Sequence, residues 1–368
     1  MQQTYYRPTF VRINLTAIKS NIQNLKQMLP THTQIIAIVK ANAYGHGDIE
    51  VAKAALGAGA TQLAVATPEE ALRIRDAGIT AEILIIGAAP ASFLQKASEL
   101  NITLTAYSLG WLQSIQHFNR PLKVHVKIDS GMGRIGFVKE NELKEALIFI
   151  QQNSWIQVTG VFTHFSTADE EEQEHFDKQA ERFKRLLALF DVKPPIVHTS
   201  NSATVLRYPT QYWDAVRFGI SMYGIAPSSF MSENLPFPLE QALSLETEVV
   251  QVKKVEKGTP IGYGAMYKAE TDEWIATLPI GYADGLLRKL HNQVVLVKGE
   301  RVSIVGKICM DQCMIRLNEP VPLGEKVVLI GKQAVAEIKI EEWANTLETI
   351  PYEICCMLSN RIPRIYSE

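Results

Sequence analysis

Cysteine is scarce in this sequence. Its 368 residues hold four, Cys309, Cys313, Cys355 and Cys356, and none forms a C-x-x-C pair. No His-x-x-x-His stands nearby, so zinc-type spacing is absent and no metal site is expected. Reduced, mostly buried thiols are the reading for a chain without an export signal. An excess of one charge is missing too. Lys and Arg number 37 against 39 Asp and Glu, a formal net charge of −2, which gives no global reason to expect nucleic acid or an anionic membrane as partner. Met1 to Arg12 is polar and mixed, with no apolar stretch of signal-peptide type. No segment has the length and continuity of a transmembrane helix. These absences lead to the expectation of a cytoplasmic protein. Low-complexity tracts and fixed-period repeats are also lacking.

What is present is an ordinary globular composition, 46% hydrophobic and 21% charged, on a chain long enough for two domains. From residue 35 onward short apolar runs alternate with amphipathic stretches. The runs are Ile35–Val39, Gln62–Ala66, Glu82–Ile86, Ile102–Thr105, Leu122–Ile128, Ile156–Thr163, Ile196–His198 and Ala215–Phe218. Most lack polar alternation, as strands buried on both faces should. Helix-like segments such as Asp48–Ala58, Pro68–Ala77, Asn141–Gln151 and Gln173–Phe190 lie between them. Thr67-Pro68-Glu69-Glu70 reads as a helix start and Gly78 as a helix stop. The alternation predicts an α/β fold, a (β/α)8 barrel, followed by a smaller, mainly β C-terminal domain. An open doubly wound sheet is the competing reading. No Gly-x-Gly-x-x-Gly follows the first strand to support it; Gly131-x-Gly133-x-x-Gly136 follows the fifth and reads as a loop.

The texture changes near Pro236–Pro238, so the boundary is set at 1–238 and 239–368. Beyond it come the β-branched runs Thr247–Val255, Trp274–Leu278, Val294–Val297, Val302–Val305 and Lys326–Ile330, with Ile340–Leu347 as the one clear helix.

Barrel enzymes build their sites at the C-terminal ends of the strands. Here those positions hold Lys40, Lys127 with Arg134, His164, Ser200-Asn201-Ser202, and Arg217 before Gly219. The set is polar and cationic, without a metal-binding carboxylate cluster. It points to an anionic ligand and to nucleophilic or acid–base chemistry. Lys40 ends an apolar strand; partial desolvation would lower its pKa and make it a nucleophile able to form a Schiff base, or it simply reaches out to water. Ser202 and the Gly219-Ile220 peptide groups, flanked by Tyr223 and Gly224, fall where barrels tend to bind phosphate; a serine N-cap and a turn glycine are the ordinary alternatives. His164 is either stacked on a planar ligand or packed in the barrel. Arg217 is either functional or a structural ion pair.

Ala37-Ile38-Val39-Lys40-Ala41-Asn42-Ala43-Tyr44-Gly45-His46-Gly47 resembles the cofactor-lysine signature of alanine racemases. The resemblance runs along most of the chain. It includes His125–Arg134, Thr163-His164-Phe165, His198–Ala203, Arg217–Ile220 and Met222-Tyr223-Gly224. Further on it includes Tyr263-Gly264, Leu278–Gly285, Cys309–Gln312, Tyr352-Glu353 and Arg361–Arg364. One departure follows Arg7-Pro8-Thr9: Asn14 stands where the family usually has Asp.

The resemblance implies a pyridoxal-phosphate-dependent isomerase that interconverts L- and D-alanine and supplies D-alanine for cell-wall peptidoglycan. It implies a head-to-tail homodimer with shared active sites. Lys40 would hold the cofactor, and Tyr44, Ser202, Tyr352 and the Gly219 and Ile220 amides its phosphate. Arg217 would meet the pyridine nitrogen and His164 would flank the ring. Arg134 and the Met310 backbone would bind the substrate carboxylate. Tyr263 would come from the other subunit as the second acid–base group, with Met310 and Asp311 from that subunit too. Tyr282 is a supporting residue, and Lys127 matches a position that is often carbamylated. Arginine does not give up its proton at working pH, so Arg217 would keep the pyridine nitrogen unprotonated and weaken the electron sink, which suits proton return to the same carbon. Related decarboxylases usually place a carboxylate there, and Arg217 speaks against them. A broad-specificity or serine racemase would share nearly every motif. A non-catalytic cofactor carrier would resemble the barrel alone.

Overall fold

A computed structural model describes residues 5–368. The described chain divides into two units, one of residues 17–43 and 48–240, the other of residues 5–16, 44–47 and 241–368.

The first unit is a closed barrel of eight parallel strands taken in chain order. They are Gln34–Ile38, Gln62–Val65, Glu82–Ile85, Ile102–Ala106, Leu122–Lys127, Ile156–Phe162, Ile196–His198 and Ala215–Phe218. Closure is parallel pairing of the first strand with the eighth, Ala37 opposite Phe218. All eight expected strands are present, and Gln62–Val65 and Ile102–Ala106 are buried at every position. That is why they show no alternation: barrel strands meet side chains on the inside and helices on the outside. The helices follow from local chemistry. Thr67 Oγ1 accepts from the Glu70 amide and Glu70 answers at the cap, a complete capping box before Pro68–Asp76. Glu174–Leu187 buries Phe176, Gln179, Ala180, Phe183 and Leu186, one stripe at helical spacing.

The second unit is built on a sheet whose strands run, in spatial order, Gln251–Val255, Glu273–Leu278, Cys313–Leu317, Glu300–Val305, Val294–Val297, Lys326–Gln333, Leu243–Glu248, Thr9–Asn14 and Arg364–Ser367. This division departs from the expected 1–238 and 239–368. Thr9–Asn14 pairs antiparallel with Leu243–Glu248 and parallel with Arg364–Ser367, so the N-terminal strand belongs to this sheet. Two further differences concern elements. Thr247–Val255 is not one run: the strand breaks at Val249-Val250, where the Val249 amide bonds Glu325 O and the Val250 amide bonds Thr277 O. Ile340–Leu347 is a helix as expected, but a second, Pro351–Met357, follows it with Pro at its first turn.

Candidate active site

The first barrel strand ends in an unusual turn. Ala41, Asn42, Ala43 and Tyr44 all have φ between 51° and 54°. With ψ near 50° at Ala41, Asn42 and Ala43, the chain makes a left-handed helical turn directly after Lys40. L-residues resist this conformation, so the turn must be held. Glu70 holds its start, accepting from the Ala41 amide at 2.6 Å while its other oxygen accepts from Ala66 and Thr67. Asn42 Oδ1 accepts from the Asp48 amide at 3.1 Å. The Ala43 amide bonds Val39 O at 2.9 Å. The turn re-aims the chain abruptly and leaves Lys40 at the strand end.

Arg217, on the eighth strand, is 3% exposed. Its Nη1 donates to His198 Nδ1 at 2.9 Å and His198 O at 3.1 Å. Its Nη2 donates to Thr163 O at 2.8 Å and Thr199 O at 3.0 Å, and lies 3.3 Å from His164 Nδ1. These bonds run to three backbone carbonyls and a histidine ring. They also fix tautomers. Arginine only donates, so His198 Nδ1 accepts and its proton sits on Nε2. That proton is donated to His125 Nδ1 at 2.9 Å. Burial, with Arg217 next in weight, pushes His125 down to about 3, so both rings stay neutral. Room for the His125 ring depends on Gly160, where a Cβ would fall 2.6 Å from ring atoms.

Lys127 is buried, and its Nζ donates to Ile128 O at 2.8 Å. Burial first and the Arg217 charge second lower it to about 7. Asp129 opposes this; its carboxylate accepts from the Gly131, Gly133 and Arg134 amides at 2.9–3.1 Å, which favours its charged form. Gly131-x-Gly133-x-x-Gly136 is therefore the loop it was expected to be, wrapped on a carboxylate. His164 is lowered well below its ordinary value by burial, then by Arg217, Lys127, Arg134 and Lys40. All four cations act on this imidazole in the same direction.

Ser202 opens the helix Ser202–Arg207, and Asn201 caps it by accepting from the Thr204 amide at 2.9 Å. Ser202 is thus not the N-cap. Its Oγ accepts from the Gly219 amide at 3.0 Å and the Ser221 amide at 3.4 Å. Ile220 starts the short turn Ile220–Tyr223, closed by Gly224 at φ 82°. Within that turn Ser221 Oγ is buried without a hydrogen-bond partner. Tyr223 Oη donates to Ile38 O at 2.8 Å, tying this turn to the first strand. A buried hydroxyl with no hydrogen-bond partner beside backbone amides is chemistry that fits a phosphate ester.

In the second unit, Tyr44 and Tyr352 stand with ring centroids 6.0 Å apart. The segment they flank is locked in place. Gly45 O accepts from Arg364 Nε at 3.0 Å, and a Cβ at Gly45 would fall 2.2 Å from Cys355 O. Tyr263 starts the tight turn Tyr263–Ala265 between Gly262 and Gly264, both at positive φ. It is 69% exposed, and Met310 is 53% exposed; Tyr282 and Met266 are exposed as well. Tyr282 and Ala283 donate their amides to Cys309 O and Met310 O, both at 3.0 Å. These four large side chains of the second unit lie open to solvent.

Sequence reasoning passed over four residues that shape these sites. Glu70 was read only as a helix start. His125 and His198 lay inside motifs without a role. Arg361 donates to Asp311 at 2.7 Å, a pair separated by fifty positions. For the two histidines the available signal was position: both point from strands of the same barrel, two strands apart in order.

The fold and this cationic rim place the chain among enzymes that work at the mouth of a (β/α)8 barrel. The family descriptions "Alanine racemase, N-terminal domain" and "Alanine racemase, C-terminal domain" match residues 13–227 and 242–366. Alanine racemase 1 of Bacillus subtilis is 47% identical over 99% of this chain and 94% of that protein. The crystal structure of an alanine racemase from Bacillus anthracis with bound L-Ala-P is 46% identical, covering 100% of this chain and 96% of that one with a TM-score of 0.96. A histidine racemase from Leuconostoc mesenteroides subsp. sake is 31% identical, with full coverage of both chains and a TM-score of 0.93. The chain belongs to the alanine racemase family of isomerases.

Proposed function

We propose that this protein racemises alanine with pyridoxal phosphate, supplying D-alanine for cell-wall peptidoglycan in the cytoplasm. The observation that carries the reading is Arg217, a buried guanidinium fixed by three carbonyl oxygens and a neutral histidine. When bound, the cofactor would withdraw electrons from the substrate α-carbon and make its proton removable.

The chain's own groups would do the rest. Lys40 anchors the cofactor. Ser202, the Gly219 and Ile220 amides, Tyr44 and Tyr352 hold its phosphate. His164, kept neutral by burial and by the neighbouring cations, would flank the cofactor ring. Arg217 donates to the pyridine nitrogen and cannot surrender its proton, which keeps electron withdrawal modest and favours proton return over side reactions. Lys40 Nζ exchanges the α-proton on one face. Tyr263 of the partner subunit exchanges it on the other. Arg134 and the Met310 amide grip the substrate carboxylate, with Asp311 and Tyr282 in support. Lys127, lowered to about 7, offers a neutral amine that would attack the carbon of carbon dioxide and release a proton, and the resulting carbamate would pair with Arg134. The exposed face bearing Tyr263, Tyr282 and Met310 supports a homodimer with shared sites.

A second reading, racemisation of a larger side chain, is kept because a 31% identical neighbour is a histidine racemase. The test is conversion of single enantiomers of alanine, serine and histidine by the cofactor-loaded protein, with borohydride trapping and peptide mapping. Alanine should turn over fastest and the adduct should map to Lys40. Absence of alanine racemisation, or an adduct elsewhere, defeats the proposal. The shared site has its own test. Lys40→Ala and Tyr263→Ala chains, each inactive, are co-expressed. If the two residues act across chains, one site of each mixed dimer keeps both and activity returns. Mixed dimers no more active than the parents would refute sharing.

A further inference from the structure

Three matched segments are not used by the chemistry above: Arg7-Pro8-Thr9, Ala283-Asp284-Gly285 and Arg361-Ile362-Pro363. The fold of the second unit brings them to one point. The Asp284 side chain is 0% exposed, and both its oxygens lie 2.9 Å from Arg7 Nη1. Its Oδ2 also accepts from the Gly281 amide at 3.1 Å. Arg7 Nη2 donates to Arg361 O at 3.0 Å. Arg361 Nε lies 3.7 Å from Asp284 Oδ1, and its Nη2 donates to Asp311 Oδ1 at 2.7 Å. The result is a chain, Arg7–Asp284–Arg361–Asp311, that alternates cation and anion from a buried carboxylate out to the surface. A carboxylate so buried is stable only when paired and hydrogen-bonded, and here both conditions hold.

The chain ends beside Met310. Asp284 closes the turn Gly281–Gly285, which donates from Tyr282 and Ala283 to the carbonyls of Cys309 and Met310. The two backbones touch: a Cβ at Gly281 would fall 2.4 Å from each of those oxygens. The Met310 peptide is therefore held by the turn through its carbonyl and by Arg361 through the next side chain.

We propose that Arg7, Asp284 and Arg361 are positioning residues that fix the Met310 amide and so set affinity for the substrate carboxylate. This inference rests on the functional reading above. The carboxylate stays intact while the α-proton moves, so the amide grips ground state and transition state alike. Losing that grip raises KM and leaves kcat nearly unchanged.

The test uses the cofactor-loaded enzyme. Arg361→Ala cuts the chain at its exposed link, where the side chain is 46% exposed, and leaves Arg7–Asp284 to hold the fold. KM for alanine should rise about tenfold, the loss of one charge-assisted hydrogen bond, with kcat within about twofold. Arg361→Lys should recover part of the loss. Amide hydrogen exchange in segment 307–313, measured with and without cofactor, should speed up in Arg361→Ala. An unchanged KM, a fall in kcat equal to the fall in kcat/KM, or unchanged exchange would overturn the proposal. If the wild-type enzyme racemises nothing, the functional reading falls, and the exchange measurement alone decides whether the chain holds this loop.

Discussion

Alanine at position 41 and glycine at position 57 each sit in the backbone conformation that suits the other residue type. Ala41 is exposed and left-handed, with φ 51° and ψ 49°. Gly57 lies inside the right-handed helix Asp48–Ala58, and a Cβ there would meet nothing within 4 Å. Holding an L-residue left-handed costs roughly 1–2 kcal/mol. Ala41→Gly removes that cost, while the freer unfolded glycine returns about 0.4–1 kcal/mol against folding. The net expectation is a gain of about 0.5–1 kcal/mol. The Glu70 bond to the backbone amide survives the change, because it does not involve the methyl group. Gly57→Ala should gain about 0.8–1 kcal/mol from helix propensity. Opposite exchanges should thus both stabilise. Urea unfolding of each variant, followed by a signal from the barrel unit, measures this. A loss of 1 kcal/mol or more in Ala41→Gly, with Gly57→Ala stabilised as expected, would show that the turn is not held left-handed or that the Ala41 methyl makes a contact the structure lacks.

Gly160→Ala should cost about 1–3 kcal/mol in thermal or urea unfolding, because its methyl group would fall 2.6 Å from the His125 ring, which cannot swing aside without breaking its bond to His198. His125→Gln should be less stable than wild type at pH 7, but the gap should narrow as pH falls from about 6.5. The sign follows from a folded pKa depressed to about 3: below pH 6.5 the unfolded chain takes up a proton that the folded chain refuses, and only the wild type pays this cost. Melting temperatures across that range check it, and a constant gap refutes it. Lys127 should carry the mass of one added carbon dioxide in intact protein analysed at mildly alkaline pH, and lose it on acidification; a Lys127→Ala variant should bind alanine more weakly because Arg134 loses its partner.

The barrel was legible because its physics is local. A strand buried on both faces must be apolar throughout, and a helix start such as Thr67–Glu70 writes its hydrogen bonds into four consecutive residues. The second unit was less legible where neighbours decide the outcome. Val249 and Val250 look like strand residues, yet the strand breaks there because their amides bond different partners. Thr9–Asn14 gives no local sign that its sheet partners lie more than two hundred residues away.

The site shows the same divide more sharply. Lys40, Arg217, Ser202 and Lys127 could be placed by one rule, that barrel chemistry sits at strand C-termini, and the structure puts them there. What tunes them could not be placed. Ala41-Asn42-Ala43 has the composition of a right-handed helix; only Asn tolerates the left-handed region among the three, and the turn exists because Glu70, twenty-nine positions on, accepts from its first amide. The neutrality of His198 comes from burial first and the Arg217 charge second, and its tautomer depends on an arginine that donates from one side and a histidine that accepts on the other, 73 residues upstream. Asp284 and Arg7, 277 positions apart, make a pair around a buried carboxylate that neither segment announces. In each case the residue type is readable and its charge state or handedness is not, because these are set by contacts that exist only once the chain has closed on itself. The candidate groups could thus be read from the sequence as residue types, whereas their pKa values, tautomers and backbone strain belong to the fold.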